Sequence, residues 1–564
     1  MAQKRTQTKK KQIRYIFVIG GVMSSVGKGV TTASIGRILI SKGYKVAIVK
    51  CEMYINIDAG TIRPTEHGEV FVGSDGIEAD QDLGNYERFT GNISLSENYI
   101  TQGQIYLEVI RRERNLEFGG EDVEVIPDIP NEIIRRLRQV ERKQKPDFTI
   151  VEVGGTVGEY QDLLFLEAAR MLHLKHPDLV QFVLVSYLPI PKTVGEMKTK
   201  PTQYAVRTLN SAGIEPDFIV CRSERAVDSK RKTKLSLMCN VEPEAIISAP
   251  DVDSIYEVPL ILEKDNFGNK ILQKFGFPPR SQDLKDWRAW VKRSRGARAE
   301  VQIGVVGKYF ATGDYTLSDS YISVVESIKH AAWANNRVPR LHWINSEDFE
   351  RDPRSIRKLR EMDGILVPGG FGERGVEGIV MAIRYARENK IPYLGLCYGM
   401  QLAVIEFARN VCGMKGANTT EIDRKTRYPV IDVMAEQKKN LADRNFGATM
   451  RLGDYPCAVK KGTLAHEAYG TTGPVMERHR HRYEVNNKFR KVLQEKGMVF
   501  SGVYTKKDLV EISELDKKIH PWFLGTQFHP EFNSRLWKPQ ALFDGFVKAS
   551  LKRRSRPSRD ARSR

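Results

Sequence analysis

A cysteine between two glycines is the first candidate for chemistry in this chain of 564 residues. The stretch "YLGLCYGMQ" (393–401) places Cys397 in a Gly-x-Cys-x-Gly turn between a predicted strand and a predicted helix. This is the nucleophile-elbow arrangement with sulfur in place of oxygen. Gly395 and Gly399 leave room for a tight turn, and the following helix N-terminus directs N–H groups at an oxyanion. The pattern predicts a nucleophilic thiol rather than the buried core cysteine that is the commoner case.

A nucleophile also needs a base and a group that orients the base. The stretch "QFHPEF" (527–532) offers His529 and Glu531 two residues apart around Pro530. Pro530 biases His529 toward extended backbone, and in a strand the two side chains would project to the same side. The order Cys, His, Glu differs from that of α/β-hydrolases, but triads are defined by geometry and role. The sequence therefore predicts a Cys-His-Glu triad.

These motifs, with "VPGGFGERG" (367–375), resemble the class I, triad-type glutamine amidotransferase domain. Such domains take the amide nitrogen of glutamine through a cysteinyl thioester and release ammonia. The resemblance implies that Cys397 is the nucleophile, His529 the base and Glu531 its orienter. It also implies a glutamine site that includes the oxyanion-hole backbone of Gly370 and is formed by Gly370, Tyr398, Gly399, Met400, Gln401, Glu421 and Arg482.

Near the N-terminus, "YIFVIGGVMSSVGKGVTTAS" (15–34) has the composition of a phosphate-binding loop but different spacing. A P-loop has four residues between its first glycine and its Gly-Lys pair, followed by Ser or Thr. Here five residues separate Gly21 from Gly27, and Gly29 follows Lys28 where a metal-binding hydroxyl is expected. The helix that follows still offers N–H groups to phosphate. We therefore expect a nucleotide site of modified design.

Carboxylates and lysines elsewhere in the first half complete this expected site. Asp82 in "DQDLGNYERF" (80–89) and Glu152 in "VEVGGTVGE" (151–159) could hold Mg²⁺, which binds through one or two carboxylates and phosphate oxygens. The stretch "KTKPTQ" (198–203) sets two lysines beside polar groups and could clamp a triphosphate, although alone it is equally typical of a surface loop. We predict an ATP–Mg²⁺ site and a second nucleotide site.

Together with "YINIDAGT" (54–61), "HGEVFV" (67–72), "CRSERAV" (221–227) and "ERHRHRYEVN" (477–486), these motifs resemble the CTP synthase family from about Tyr15 to about Lys548. The resemblance implies a ligase in which ATP phosphorylates O4 of UTP and ammonia from glutamine displaces the phosphate to give CTP. Free ammonia could replace glutamine as the nitrogen donor.

The same resemblance assigns the nucleotide-binding residues. It implies a catalytic Lys28 that stabilises the transferring phosphoryl group, Lys50 facing the phosphates, and metal ligands Asp82 and Glu152. The implied ATP-binding residues are Ser25, Val26, Gly27, Lys28, Gly29, Val30 and Asp82, and the implied UTP- and CTP-binding residues are Ser24, Glu159, Gln161, Lys198, Thr199, Lys200, Pro201, Thr202, Gln203 and Lys234.

The resemblance also implies Mg²⁺ as cofactor, feedback inhibition by CTP, and GTP as allosteric activator acting near a lid at Arg374. Homotetramers, often stacked into filaments, are the expected assembly.

The sequence departs from the family pattern in three places. Glu52-Met53 replaces Asp-Pro, Glu159-Tyr160-Gln161 replaces Asp-Ile-Glu, and Tyr398 replaces the leucine after the nucleophile.

Alternating strand and helix patterns predict an α/β protein with two doubly wound, mostly parallel-sheet domains, one P-loop-like synthetase domain and one class I amidotransferase domain. Strand-like runs include 16–19, 45–50, 147–153 and 181–188 in the first half and 301–310, 364–370, 392–397 and 523–531 in the second. We predict a basic disordered tail over 1–14, a synthetase domain over 15–276, a linker over 277–300, an amidotransferase domain over 301–550 and a second basic tail over 551–564.

Charge and composition limit the function classes further. Of the net charge of +19, the two ends contribute +6 each, so the body carries about +7, which suits polyphosphate substrates. No apolar run is long enough to span a membrane or to act as a signal peptide. Six cysteines without CxxC spacing argue against disulfides or a zinc site. We expect a cytoplasmic enzyme with no membrane partner and no specific nucleic-acid partner.

Two alternatives remain open from the residues. One is a different synthetase–amidotransferase fusion of the cobyric acid type, against which "KTKPTQ" favours UTP. The other is an inactive, filament-forming or RNA-binding relative, which would bind RNA through its basic tails in a salt-sensitive manner. The complete set Lys28, Asp82, Glu152, Cys397, His529 and Glu531 argues against that alternative.

Overall fold

The chain forms two compact units in a computed structural model that describes residues 13–281, 284–308, 311–312, 315–316 and 318–554. Of the described residues, unit 1 contains those up to Ile57 together with those from Asn85 to Arg288, and unit 2 contains Asp58–Gly84 and those from Ala289 onward. The predicted linker, 277–300, therefore includes the change of unit at 288. Asp58–Gly84, which the sequence pattern assigns to the first domain, instead packs with the second.

Unit 1 is built on one parallel sheet of seven strands in the order β3-β2-β4-β1-β5-β6-β7. Its strands are runs of β-branched and other apolar residues, which are buried on both faces as parallel strands require. The strands are β1 (Arg14–Gly20), β2 (Val46–Glu52), β3 (Tyr99–Thr101), β4 (Phe148–Val153), β5 (Val180–Tyr187), β6 (Phe218–Ser223) and β7 (Ile246–Pro250).

The helices of unit 1 follow these strands, as the alternating pattern predicts. The first helix begins at Lys28, directly after the glycine-rich loop. They are α1 (Lys28–Ser41), α2 (Asp82–Thr90), α3 (Gln102–Arg114), α4 (Val125–Gln144), α5 (Leu163–Lys175), α6 (Lys200–Ser211), α7 (Ser229–Cys239), α8 (Val258–Leu262), α9 (Phe267–Lys274) and α10 (Lys285–Gly296). Helix α2 crosses the change of unit after Gly84, and α10 crosses the one after Arg288.

Unit 2 is built on a nine-stranded sheet in the order β9-β8-β10-β11-β16-β15-β14-β12-β13. Five strands from β9 to β16 are parallel, and four further strands extend the sheet in antiparallel fashion, which the sequence pattern does not predict. The strands are β8 (Ala299–Gly307), β9 (Arg337–Asn345), β10 (Gly364–Val367), β11 (Tyr393–Leu396), β12 (Arg451–Val459), β13 (Val475–His481), β14 (Met498–Tyr504), β15 (Leu509–Leu515) and β16 (Phe523–Thr526).

Helices cover both faces of this sheet. Ile365 and Val367 of β10 belong to one apolar core and Leu366 to a second, because successive strand residues face opposite sides. The helices are α11 (Ile322–Ala334), α12 (Glu347–Arg351), α13 (Val376–Glu388), α14 (Tyr398–Asn410), α15 (Gln437–Ala442), α16 (Leu464–Tyr469), α17 (Asn487–Glu495) and α18 (Ala541–Arg554).

The ends of the chain differ slightly from the predicted tails. Arg14 already belongs to β1, and α18 continues to Arg554, whereas residues 1–12 and 555–564 of the predicted tails lie outside the described residues. Among the helices of the described ranges, none has the length and apolar character needed to cross a bilayer.

Candidate active site

Cys397 occupies the predicted elbow between β11, which ends at Leu396, and α14, which begins at Tyr398. Its backbone has φ 47° and ψ −95°, a conformation that is costly for a non-glycine residue and that clusters at functional sites. A Cβ at Gly399 would lie 2.3 Å from the carbonyl oxygen of Val367, so only glycine allows the helix to start this close to β10. The turn thus places the thiol at the N-terminus of α14.

His529 and Glu531 come together, although not on a strand as predicted. Strand β16 ends at Thr526, and His529 precedes a 3₁₀ turn over Pro530–Asn533. This turn, and not strand alternation, brings Nδ1 of His529 to 2.7 Å from Oε1 of Glu531. The contact fixes the imidazole and leaves Nε2 for proton transfer.

The electrostatic surroundings of His529 favour its charged form. Burial opposes the charge, but the adjacent carboxylate of Glu531 and then Cys397 outweigh it and raise the pKa of His529 to about 10. An imidazolium next to the thiol is the state that stabilises a thiolate nucleophile and supplies a proton to a leaving group.

The thiol and the imidazole line one cavity of about 590 Å³. Residues of Asp58–Gly84 form part of its wall, and Arg480 joins that segment to β13 by donating from Nε to Glu78 over 2.8 Å. The wall residues from this segment are Gly60, Thr61, Pro64, Glu69 and Val70.

Four of the residues predicted to bind glutamine line this cavity, namely Gly370, Gln401, Glu421 and Arg482. Glu421 accepts a hydrogen bond from the backbone N–H of Gly372 at 2.8 Å. Burial raises its pKa, against the lowering effects of this bond and of Lys308.

Gln401 and Arg482 are also held by protein groups. Gln401 donates to the carbonyl of Tyr483 at 2.9 Å, and Arg482 donates to Gln437 and Thr449 at 2.6 and 2.9 Å. The other three predicted residues, Tyr398, Gly399 and Met400, form the buried first turn of α14.

The glycine-rich loop of unit 1 leads from β1 into α1. Ser24 and Ser25 are exposed, Val26 is buried, and Ser25 has a left-handed backbone with φ 56°. Gly27 caps the helix, and Gly29 and Val30 lie in its first turn. The Lys28 ammonium contacts the carbonyl of Gly155, the residue that follows β4 by two positions.

Glu152 on β4 meets Lys50, the lysine that the family resemblance directs at phosphate. Its Oε1 accepts from the Nζ of Lys50 at 2.8 Å, and its Oε2 accepts from the hydroxyl of Tyr86 at 2.5 Å. Each carboxylate oxygen has two acceptor sites, so Glu152 retains capacity for a cation and its donor type suits Mg²⁺. Asp82 begins α2, where the chain changes units, and its pairing with Glu152 stays a prediction.

The residues predicted to bind UTP fall into two groups. Lys200, Lys234 and Gln161 are exposed, Lys198, Pro201 and Glu159 are half-buried, and Lys198 pairs with Glu196 at 2.7 Å. The buried polar residues are instead engaged within unit 1: Thr199 accepts from Gln203 at 3.0 Å, and Thr202 contacts Ser186 at 2.9 Å.

Several residues next to the two sites were not assigned by sequence reasoning. Arg222 donates to the carbonyl of Val26 in the glycine-rich loop at 3.5 Å, and only its position in "CRSERAV" pointed to it. Asp162 lies near Lys28, and burial together with Glu159 raises its pKa to about 7. In unit 2, Gln527 donates to the Cys397 sulfur at 3.5 Å, and no signal in the sequence distinguished it.

Comparison with known proteins matches the two halves of the chain to two different families. Residues 14–277 match the family described as CTP synthase N-terminus, and residues 316–549 match glutamine amidotransferase class-I. Among solved structures, the glutaminase domain of Trypanosoma brucei CTPS with bound acivicin is 37% identical, covers 45% of this chain and 94% of that chain, and gives a TM-score of 0.40.

Full-length relatives match both halves in one alignment. The CTP synthase of Caldanaerobacter subterraneus subsp. tengcongensis is 50% identical over 540 residues, which is 95% of this chain and 98% of the relative. That of Methanocaldococcus jannaschii is 48% identical over 547 residues, 96% of this chain and 99% of the relative. These relatives, which are 48–50% identical over nearly the whole chain, show that the chain belongs to the CTP synthase family and not to a fusion of the cobyric acid type.

Proposed function

We propose that this protein makes CTP by the ATP-dependent amination of UTP, with glutamine or free ammonia as nitrogen donor. The observation that carries the proposal is the Cys397 elbow beside the His529–Glu531 pair, in a chain that aligns with CTP synthases from end to end. The triad supplies ammonia, and the glycine-rich loop with Lys28 serves the phosphoryl transfer.

In the glutamine reaction, the sulfur of Cys397 attacks the side-chain amide carbon. The carbonyl oxygen becomes an oxyanion that the backbone N–H of Gly370 stabilises. His529 gives its proton to the nitrogen, the C–N bond breaks, and ammonia leaves. A water molecule then cleaves the thioester, with His529 as base, and releases glutamate.

In the synthetase reaction, O4 of UTP attacks the γ-phosphorus of ATP, so that a 4-phosphorylated UTP and ADP form. Ammonia then attacks C4, inorganic phosphate leaves with the oxygen, and CTP remains. Lys28 neutralises charge on the transferring group. Mg²⁺ bound by Asp82 and Glu152 would screen the phosphates when present.

We further propose activation by GTP near Arg374, inhibition by CTP and a homotetrameric assembly. Arg374 holds Glu347 in a bidentate ion pair at 2.5 and 2.8 Å, which a ligand at this lid would have to displace. The assembly is supported by exposed apolar side chains on α3, where Leu107 and Ile110 are each 58% exposed.

The decisive experiment measures CTP from UTP and ATP with either nitrogen donor, with and without GTP or added CTP. Cys397→Ala should abolish CTP formation from glutamine and retain it with ammonium at raised pH, because only the ammonia supply needs the thiol. The half-buried Cys412 gives a matched control, and Cys412→Ala should keep both activities. Loss of both activities in folded Cys397→Ala would contradict the two-site proposal.

A further inference from the structure

The loop after β10 runs close to the catalytic base. We call residues 369–375 the oxyanion loop, since it contains Gly370, the expected oxyanion donor. A Cβ placed on Gly369 would lie 2.8 Å from Cε1 of His529, which shows how closely the loop passes the imidazole. Small shifts of this loop would therefore move the Gly370 N–H relative to the thioester carbon.

The backbone of Gly372 is held on both sides of its Cα atom. Its carbonyl oxygen accepts one hydrogen bond from the Nζ of Lys308 and one from the hydroxyl of Tyr398, both at 2.6 Å. The N–H of the same residue donates to Glu421 at 2.8 Å. Three side chains thus fix the two peptide groups that flank the Cα atom of Gly372 in the oxyanion loop.

Tyr398 is well placed to link this loop to the nucleophile. It directly follows Cys397, and its side chain is only 2% exposed. The Lys308 ammonium lies 4.9 Å from the centroid of its ring, so the two donors also stabilise each other by a cation–π contact. The leucine expected here from the family pattern has no hydroxyl to donate.

We propose that Tyr398 is a positioning residue for glutamine hydrolysis, whose hydroxyl acts with Lys308 to fix Gly372 and thereby aim the Gly370 N–H at the oxyanion. The inference rests on the proposed glutaminase activity and adds to it a role for a side chain. Its contribution is to kcat, because the oxyanion forms only after glutamine has bound.

The two donors differ in their response to pH. Burial lowers the pKa of Lys308 to about 8, and of the charged groups facing it, Glu421 raises it, Arg374 lowers it, and Glu350 and Glu347 raise it. Above that pH the lysine loses its charge and its hydrogen bond to Gly372 weakens. The Tyr398 hydroxyl, which does not depend on this charge, then maintains the loop.

The test compares full-length wild type with Tyr398→Phe, which removes only the hydroxyl. We expect kcat for glutamine hydrolysis to fall about tenfold with an unchanged KM, as for a small misplacement of a catalytic group. We also expect a new decline of kcat as pH rises through about 8, because Lys308 alone holds Gly372 in this variant. Tyr385→Phe on α13 is the matched control and should behave as wild type.

Two further measurements make the result specific. CTP formation from ammonium should be unchanged in Tyr398→Phe, which shows that the fold is intact. Lys308→Gln combined with Tyr398→Phe should lower kcat by more than the product of the single effects, because each side chain can hold the Gly372 carbonyl when the other is gone.

The inference would be overturned if Tyr398→Phe hydrolysed glutamine with the kcat and the pH profile of the wild type. A rise in KM alone, which would indicate direct contact with glutamine, or strictly multiplicative effects in the double variant would overturn it too. If the wild-type enzyme hydrolysed no glutamine, the proposed function would be wrong and the inference with it. That result is distinguishable from the ones above, in which the wild-type enzyme is active.

Discussion

At the scale of single residues, Glu531 controls the charge of His529, the base in the proposed glutamine reaction. Its carboxylate lies 2.7 Å from Nδ1 of His529 and, against the effect of burial, raises the pKa of that imidazole to about 10. The imidazolium form therefore persists through neutral pH. In the proposed reaction, the proton that departing ammonia needs is therefore already on His529 when glutamine binds.

Replacing this carboxylate with an amide tests its electrostatic role. In Glu531→Gln the contact with Nδ1 can persist, but the pKa of His529 falls because the negative charge is gone. We expect kcat for glutamine hydrolysis to drop by about two orders of magnitude, in line with the loss of a general acid–base group. The alkaline decline of the pH profile should also move to lower pH, since the imidazolium is lost earlier.

Stopped-time glutamate assays across pH would measure both effects. Glu495→Gln on the exposed face of α17 is the control and should leave the profile unchanged. An alkaline decline that stays in place in Glu531→Gln would show that another group sets it.

At the scale of elements, the close approach of α14 to β10 creates the catalytic turn. In Gly399→Ala the new methyl would meet the Val367 carbonyl oxygen at 2.3 Å, and neither backbone can move without disturbing the sheet. We expect a loss of about 1–3 kcal/mol in the free energy of unfolding, typical of overpacking. Glutamine-dependent activity should fall with it, since Cys397 shifts with the helix.

Thermal denaturation and glutaminase assays of the purified variant would check this expectation. Gly296→Ala is the matched control, because a Cβ at that position would meet no atom within 4 Å and the residue has no positive φ. A Gly399→Ala variant as stable and active as wild type would mean that the turn tolerates a side chain.

The elements that a sequence predicts well are those whose pattern is local. The apolar runs and glycines around 14–41 and 393–401 contain their own strand, turn and helix signals, and the structure has these elements there. The turn at His529 was wrongly predicted as strand, because Pro530 permits both conformations. The antiparallel strands β12–β15 pair through distant contacts that no local period reveals.

At the scale of the whole molecule, sequence order and packing do not coincide. Asp58–Gly84 lies between β2 and α2 of unit 1 in the sequence but packs in unit 2. Its attachment uses buried polar groups: Arg480 donates to Glu78 at 2.8 Å, and Arg478 donates to the carbonyl of Val72 at 3.0 Å. Such pairings between residues some 400 positions apart were not predictable from the sequence.

Replacing Glu78 tests how strongly the segment Asp58–Gly84 is held in unit 2. The side chain of Glu78 is 1% exposed and that of Arg480 18%, so Glu78→Ala leaves a largely buried guanidinium without its carboxylate. We expect the free energy of unfolding to fall by about 3 kcal/mol, as when one partner of a buried ion pair is removed. Glutamine hydrolysis should weaken too, since this segment walls the cavity.

Denaturant titration would measure the change. Glu388→Ala removes a surface partner of Arg384 and serves as the control, with an expected loss of at most about 1 kcal/mol. Equal losses in the two variants would show that the segment is not anchored by Glu78.

The packing of Asp58–Gly84 in unit 2 limits how the gene can be recombined. A chimera joined near residue 288 would combine the amidotransferase of this chain with a foreign version of the segment. It would thereby exchange Gly60, Thr61, Pro64, Glu69 and Val70, which line the thiol cavity. The part of the chain that can be exchanged as one structural unit therefore consists of two separate stretches. A chimera that keeps this cavity intact must carry residues 58–84 together with the C-terminal half.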